Sequence, residues 1–282
     1  MTTQRFALVL MSLAPACALA QSDAEDLPPP PEPRLEAYQA LKGIDAAAWK
    51  ALALTPQAGV QAKHARLPKR MEVETSTHMT LGGRLLRPAQ TIGTIQTNTS
   101  RLSPLPGGFV LVESDFTIDS ESTKGSGKST ELRWLGMIAL YAHEAFSLKT
   151  QRAILGTSES SGTSVTKLDK WGSSDLKLEE MKPGYRWKFE FSRVSEQKNG
   201  SKRTSDFKQS CEAAEGGSAD TLAPELSGTF LKVTCENAAS TRPVPAEWAY
   251  LEDYGYFLAL GAGTERTFVI NRFKVLEPGT PQ

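Results

Sequence analysis

The sequence has little histidine and little cysteine, three of each in 282 residues, and no excess charge of either sign. So few histidines leave little with which to build an imidazole metal centre or a histidine-dependent triad. His64 lies in a polar stretch with Lys63 and Arg66, and His78 falls on the polar side of an alternating run. Only His143 has a carboxylate, Glu144, beside it. Lys and Arg balance Asp and Glu at 32 each, so no global field draws the chain to nucleic acid or to an anionic membrane surface. After the first 20 residues no apolar run approaches the roughly 20 residues that a membrane-spanning helix needs.

Catalytic signatures are also lacking. Lys124-Gly125-Ser126-Gly127-Lys128-Ser129 looks like a phosphate loop, but Ser122 stands where the motif needs a glycine, and the flanks read as β. Ser-x-x-Lys occurs at Ser164, Ser174 and Ser205 without its companion elements, and Gly-x-Ser-x-Gly and His-Glu-x-x-His do not occur. Asp115, Asp119 and Glu121 lack the alternation of a calcium loop. Glu252 and Asp253 are adjacent, and neighbours on a strand point to opposite faces, so they do not converge as an acid–base pair. The sequence therefore assigns no catalytic residue, no cofactor and no metal.

What is present begins with a leader. Arg5, the apolar run Phe6–Leu13 and the small residues of Ala18-Leu19-Ala20 read as a signal peptide over residues 1–20, cut after Ala20. This predicts a periplasmic or secreted protein; the variant reading is a lipoprotein anchored at Cys17. Residues 21–33 are acidic and then proline-rich, a polyproline II spacer. Residues 34–60 carry apolar residues at helical spacing, with Pro56 as a stop.

From 61 to 282 the period changes to two. Met71, Val73, Thr75, Thr77, Met79 and Leu81 alternate with polar residues. Val110 to Ile118, Arg186 to Val194, Lys202 to Cys211, Leu231 to Cys235, Tyr254 to Leu260 and Arg266 to Leu276 behave likewise. Asn199-Gly200 marks a hairpin. Residues 120–129, rich in Ser, Gly and Lys, read as an exposed turn, and 132–156 fits helix or strand equally. About ten short strands predict a mainly β fold, an antiparallel sandwich or barrel-like body after a short helical N-terminal segment. A division into two β subdomains near 156–173 is compatible with the pattern.

Two cysteines remain after the leader, Cys211 and Cys235. An even pair in an oxidising compartment predicts a disulfide worth roughly 3 kcal/mol on the chain-entropy estimate. The most unusual stretch runs from Trp248 to Phe257. Trp248, Tyr250, Tyr254 and Tyr256, around Glu252 and Asp253, have the chemistry of a partner interface or, read more plainly, of a core strand after a turn.

The layout of leader, spacer and disulfide-pinned β body resembles periplasmic immunity and inhibitor proteins of Gram-negative bacteria. The resemblance rests on layout, so no residue role is carried over from it. It implies a non-enzymatic protein that binds a protein partner in the envelope, such as a secreted toxin or an assembly factor. The alternatives are an envelope hydrolase with scattered site residues and a carrier of a lipid or other apolar ligand.

Overall fold

Alternation of period two dominates the computed structural model, which describes residues 63–81, 90–105, 108–152, 156–197, 200–237, 245–262 and 266–279. The leader, the spacer and the helical pattern at 34–60 lie outside the described residues. Twelve strands follow in order: β1 (Arg70–Leu81), β2 (Gln90–Leu105), β3 (Phe109–Asp119), β4 (Thr123–Trp134), β5 (Ile138–Arg152), β6 (Gly156–Ser174), β7 (Arg186–Gln197), β8 (Lys202–Ser218), β9 (Thr229–Asn237), β10 (Ala246–Leu251), β11 (Tyr256–Ala262) and β12 (Arg266–Glu277). They form one antiparallel sheet in which each strand pairs with its neighbours in sequence, and β1 pairs with β12 as well as with β2. Among the described residues no helix is long and apolar enough to cross a membrane. The sheet is continuous at 156–173, where β6 is bonded to both β5 and β7.

Two expectations need correction or completion. Residues 120–129 are not one exposed turn. The turn is confined to Ser120–Ser122, and Thr123 onward is strand β4. The glycines there admit neighbouring side chains rather than a bend: a Cβ on Gly125 would fall 2.4 Å from Leu148 Cδ2, and one on Gly127 would fall 2.3 Å from Phe116 Cζ. The ambiguous stretch 132–156 resolves into the end of β4, strand β5 and the start of β6. Met137 to Ala142 is buried on successive residues, which is why it shows no alternation.

Two cores share the sheet. The larger gathers Phe109, Leu132, Trp134, Trp171, Trp187, Phe191, Val233 and Trp248 with their neighbours. The smaller gathers Leu67, Met71, Val110, Val112, Tyr254, Tyr256 and Leu258, capped by Ala219, Ala223 and Leu226 from the β8–β9 connection. Successive residues of one strand enter different cores, Leu111 the larger and Val112 the smaller, Phe257 the larger and Leu258 the smaller. These strands are thus buried on both faces. Each fully buried large apolar side chain contributes about 2–3 kcal/mol. Cys211 and Cys235 face each other across β8 and β9 and form the disulfide, with their side chains in the larger core.

Candidate functional site

The register of β3, β4 and β5 sets out the site. Val112 faces Glu131, which faces Ala142; Ser114 faces Ser129, which faces Glu144. Glu131 and Glu144 therefore share a face as diagonal neighbours, with Cα atoms roughly 7–8 Å apart. That face borders a cavity of about 120 Å³. Its polar lining comes from Thr75 of β1, Gln96, Asn98 and Ser100 of β2, Ser114 of β3, and Ser129, Glu131 and Arg133 of β4, with Glu144 of β5. Its apolar lining comes from Met71, Val73, Val112, Phe116, Ile118, Phe146 and the β11 residues Tyr256 to Ala259.

Glu131 is 5 % exposed and holds Arg133 through one carboxylate oxygen, which accepts from Nε and from Nη2, each at 2.7 Å. Arg133 Nη1 donates to the Gly136 carbonyl at 3.3 Å. Gly136 stands in the β4–β5 turn with φ of 80°, and a Cβ there would strike the Tyr256 ring at 2.5 Å, so the turn needs glycine on both counts. The same turn is tied to β11 by the Phe257 N–H donating to the Leu135 carbonyl at 2.9 Å. This contact carries Tyr256 to the cavity wall, near the ion pair.

The electrostatics follow from burial. Burial, reinforced by the charge of Glu131, pushes the Glu144 carboxyl up to about 7, although the Ser164 hydroxyl and Arg133 oppose the shift. Burial by itself would lower Arg133, but Glu131, Tyr256 and Glu144 outweigh it and hold the guanidinium above its ordinary value. Burial also raises Tyr256; Arg133 opposes this and Glu131 adds to it. Arg193 on β7 is 7 % exposed, with its guanidinium 4.5 Å from the Phe207 ring centroid and 5.5 Å from that of Phe191. Burial pulls it down to about 10 against the favourable charge of Glu131. A cluster of two carboxyls and two guanidiniums thus sits among the buried side chains of the sheet, with one carboxyl poised to gain or lose a proton near neutrality.

The residues singled out from sequence fall elsewhere, with one exception. Trp248, Tyr250, Tyr254 and Tyr256 are each 4 % exposed, so these aromatics pack the core and do not present a surface to a partner. Their burial corrects the interface reading. Glu252 and Asp253 lie in the turn between β10 and β11. Glu252 accepts from the Thr229 hydroxyl, and Asp253 accepts from Ser227 Oγ at 3.1 Å and Arg66 Nη2 at 3.3 Å. These bonds fasten the turn. Of the six residues only Tyr256 borders the cavity. Among the described residues no group of three or more His, Cys, Asp or Glu side chains could hold a metal ion.

His64 is fully buried rather than set in a polar surface, bonding through Nε2 to the Gly255 carbonyl at 3.0 Å; burial lowers its pKa. Alternation sends His143 and Glu144 to opposite faces, and of the two Glu144 alone borders the cavity. Ser164, noted for Ser-x-x-Lys, lies in β6 and bonds Glu144. The signal that marks the site is the odd series Gly125, Gly127, Ser129, Glu131, Arg133 against the even series Lys124, Ser126, Lys128, Thr130.

No family model, no curated protein and no solved structure matches this chain.

Proposed function

We propose that the protein is a non-catalytic binding protein that holds a small amphipathic ligand inside its β body, in the cell envelope to which the leader would direct it. The observation that carries this reading is the cavity, in which an apolar wall meets the Glu131–Arg133 pair and Glu144. Ligand sites combine an apolar lining with a few polar groups that fix orientation. The return of β12 to β1 supports a barrel-like enclosure around such a ligand.

The surface lends less to a role in capturing a protein partner. The four aromatics that would have anchored one are buried, and among the described residues the exposed large hydrophobic is Ile95 alone. The binding role is tested by extracting protein purified under native conditions and identifying small molecules by mass spectrometry. One species in near-stoichiometric amount, absent from a Val112→Trp variant that fills the cavity, is the expected result. Protein that carries nothing and binds neither polar nor apolar probes would remove the reading.

A hydrolase is the second reading, favoured by one observation: a carboxyl raised to about 7 beside a second, ion-paired carboxylate is an arrangement that acid–base chemistry uses. Turnover of an envelope glycan or ester that disappears in both Glu131→Gln and Glu144→Gln would establish it over ligand storage.

A further inference from the structure

The charges in the cavity wall do not cancel. Two carboxyl groups, Glu131 and Glu144, stand against one guanidinium, that of Arg133. Arg133 is already engaged, twice by Glu131 at 2.7 Å and once by the Gly136 carbonyl, so three of its five N–H donors are committed and its charge is balanced by Glu131. Glu144 is the carboxyl of the wall without an ion-pair partner among the described residues; its hydrogen bond is to the Ser164 hydroxyl. Beside it in the wall stand the rings of Phe116 and Phe146. A carboxylate flanked by aromatic rings is the chemistry that receives an ammonium group, one side by charge and the others by the ring quadrupoles. Arg193, the other interior cation, is not part of the wall and spends its guanidinium on the Phe191 and Phe207 rings.

We infer that the ligand of this cavity carries a cationic, ammonium-type group that pairs with Glu144, while its apolar part lies along Val73, Val112 and Ile118. The inference rests on the binding role proposed above and names the class of ligand. With the ammonium in place the interior holds two matched pairs, Glu131 with Arg133 and Glu144 with the ligand. An anion in the same position would meet two carboxyls across a wall whose one cation is taken, and the cost of leaving buried charge unpaired would fall on the complex.

The charged groups that act on Glu144 are Glu131 and Arg133 from β4, and Tyr256 from β11 and Arg193 from β7 lie near that pair. Tyr256 and the two arginines keep their protons between pH 6 and 8. Glu144 is the group that changes charge in that window, and an ammonium ion binds its ionised form.

The test compares n-butylammonium, butyrate and 1-butanol by calorimetry on the purified protein at pH 6, 7 and 8. The expected result is binding of butylammonium about ten-fold tighter at pH 8 than at pH 6, following ionisation of a group near 7, with butyrate weaker at every pH. Glu144→Gln should abolish the preference for butylammonium over 1-butanol. Tighter binding of butyrate, or butylammonium affinity that does not change with pH, overturns the inference and leaves the binding role standing. Failure of all three probes removes both. The pH series uses the wild-type protein and does not depend on the variant folding.

Discussion

The inner faces of β7 to β10 and of β2 to β5 belong to the same sheet and are built to opposite prescriptions. The first carries Trp187, Phe189, Phe191, Phe207, Val233 and Trp248, packed ring on ring and pinned by Cys211–Cys235; Phe191 and Phe207 stack at 4.6 Å. The second carries Gln96, Asn98, Ser100, Ser114, Ser129, Glu131 and Glu144 around a cavity. An interior filled only for stability would resemble the first half throughout, because burying polar and charged groups is at best neutral against apolar packing. On the proposed binding role, the contrast assigns the polar half to the ligand and the aromatic half to holding the frame around it.

Substitutions that separate the two halves test this division. The largest effect is expected from Trp187→Ala, which empties a fully buried site in the aromatic half and should cost about 4 kcal/mol in denaturant-induced unfolding. Arg133→Met comes next in the polar half. It leaves Glu131 buried without its cation and should cost about 3 kcal/mol, whereas Glu131→Leu combined with Arg133→Met should recover most of that loss while abolishing ligand binding. If the double variant stays as unstable as the single one, the pair serves the fold and the division is wrong.

A smaller effect separates the halves by pH. The Glu144 carboxyl sits at about 7 in the folded protein, against an ordinary 4.5. The folded state therefore holds the proton more tightly than the unfolded state between those values. Stability is highest below the ordinary value, falls as pH rises through the window, and levels off above about 7. After allowance for partial solvent screening the loss is about 2 kcal/mol, and Glu144→Gln should flatten it. Urea titrations at pH 5 and pH 8 measure both. The smallest effect belongs to the outer face, where Lys128→Ala breaks an exposed pair with Asp115 and should change stability by less than about 0.5 kcal/mol.

The aromatic half was legible in the sequence because its strands alternate cleanly: Trp187, Phe189 and Phe191 against Lys188, Glu190 and Ser192 is a half-buried strand on any reading. The disulfide followed from the cysteine pair and the expected compartment, and the structure contains it. The polar half was illegible for the reason that makes it interesting. In β4 the inward positions are Gly125, Gly127, Ser129, Glu131 and Arg133, residue types that mark turns and surfaces when no neighbour is known. Only Phe116 and Leu148, arriving from β3 and β5, turn those glycines into space-making strand positions. β2 and β6, rich in Thr, Ser and Gly, were hidden in the same way. The aromatic run at 248–257 misled in the opposite direction, since its tyrosines suit an interface and a core equally until burial is known.

The pairing of β1 with β12 has a kinetic meaning. Each other ladder of the sheet joins consecutive strands and can form as a local hairpin, whereas this one brings Arg272 to Glu72 across 200 residues, where Nη2 donates to Oε1 at 2.9 Å. Closing so long a loop is the costly search in an otherwise local topology. The meander can zip up stepwise, and the β1 residues of the cavity, Met71, Val73 and Thr75, come beside its β11 residues, Tyr256 to Ala259, only when the two ends of the sheet are brought together.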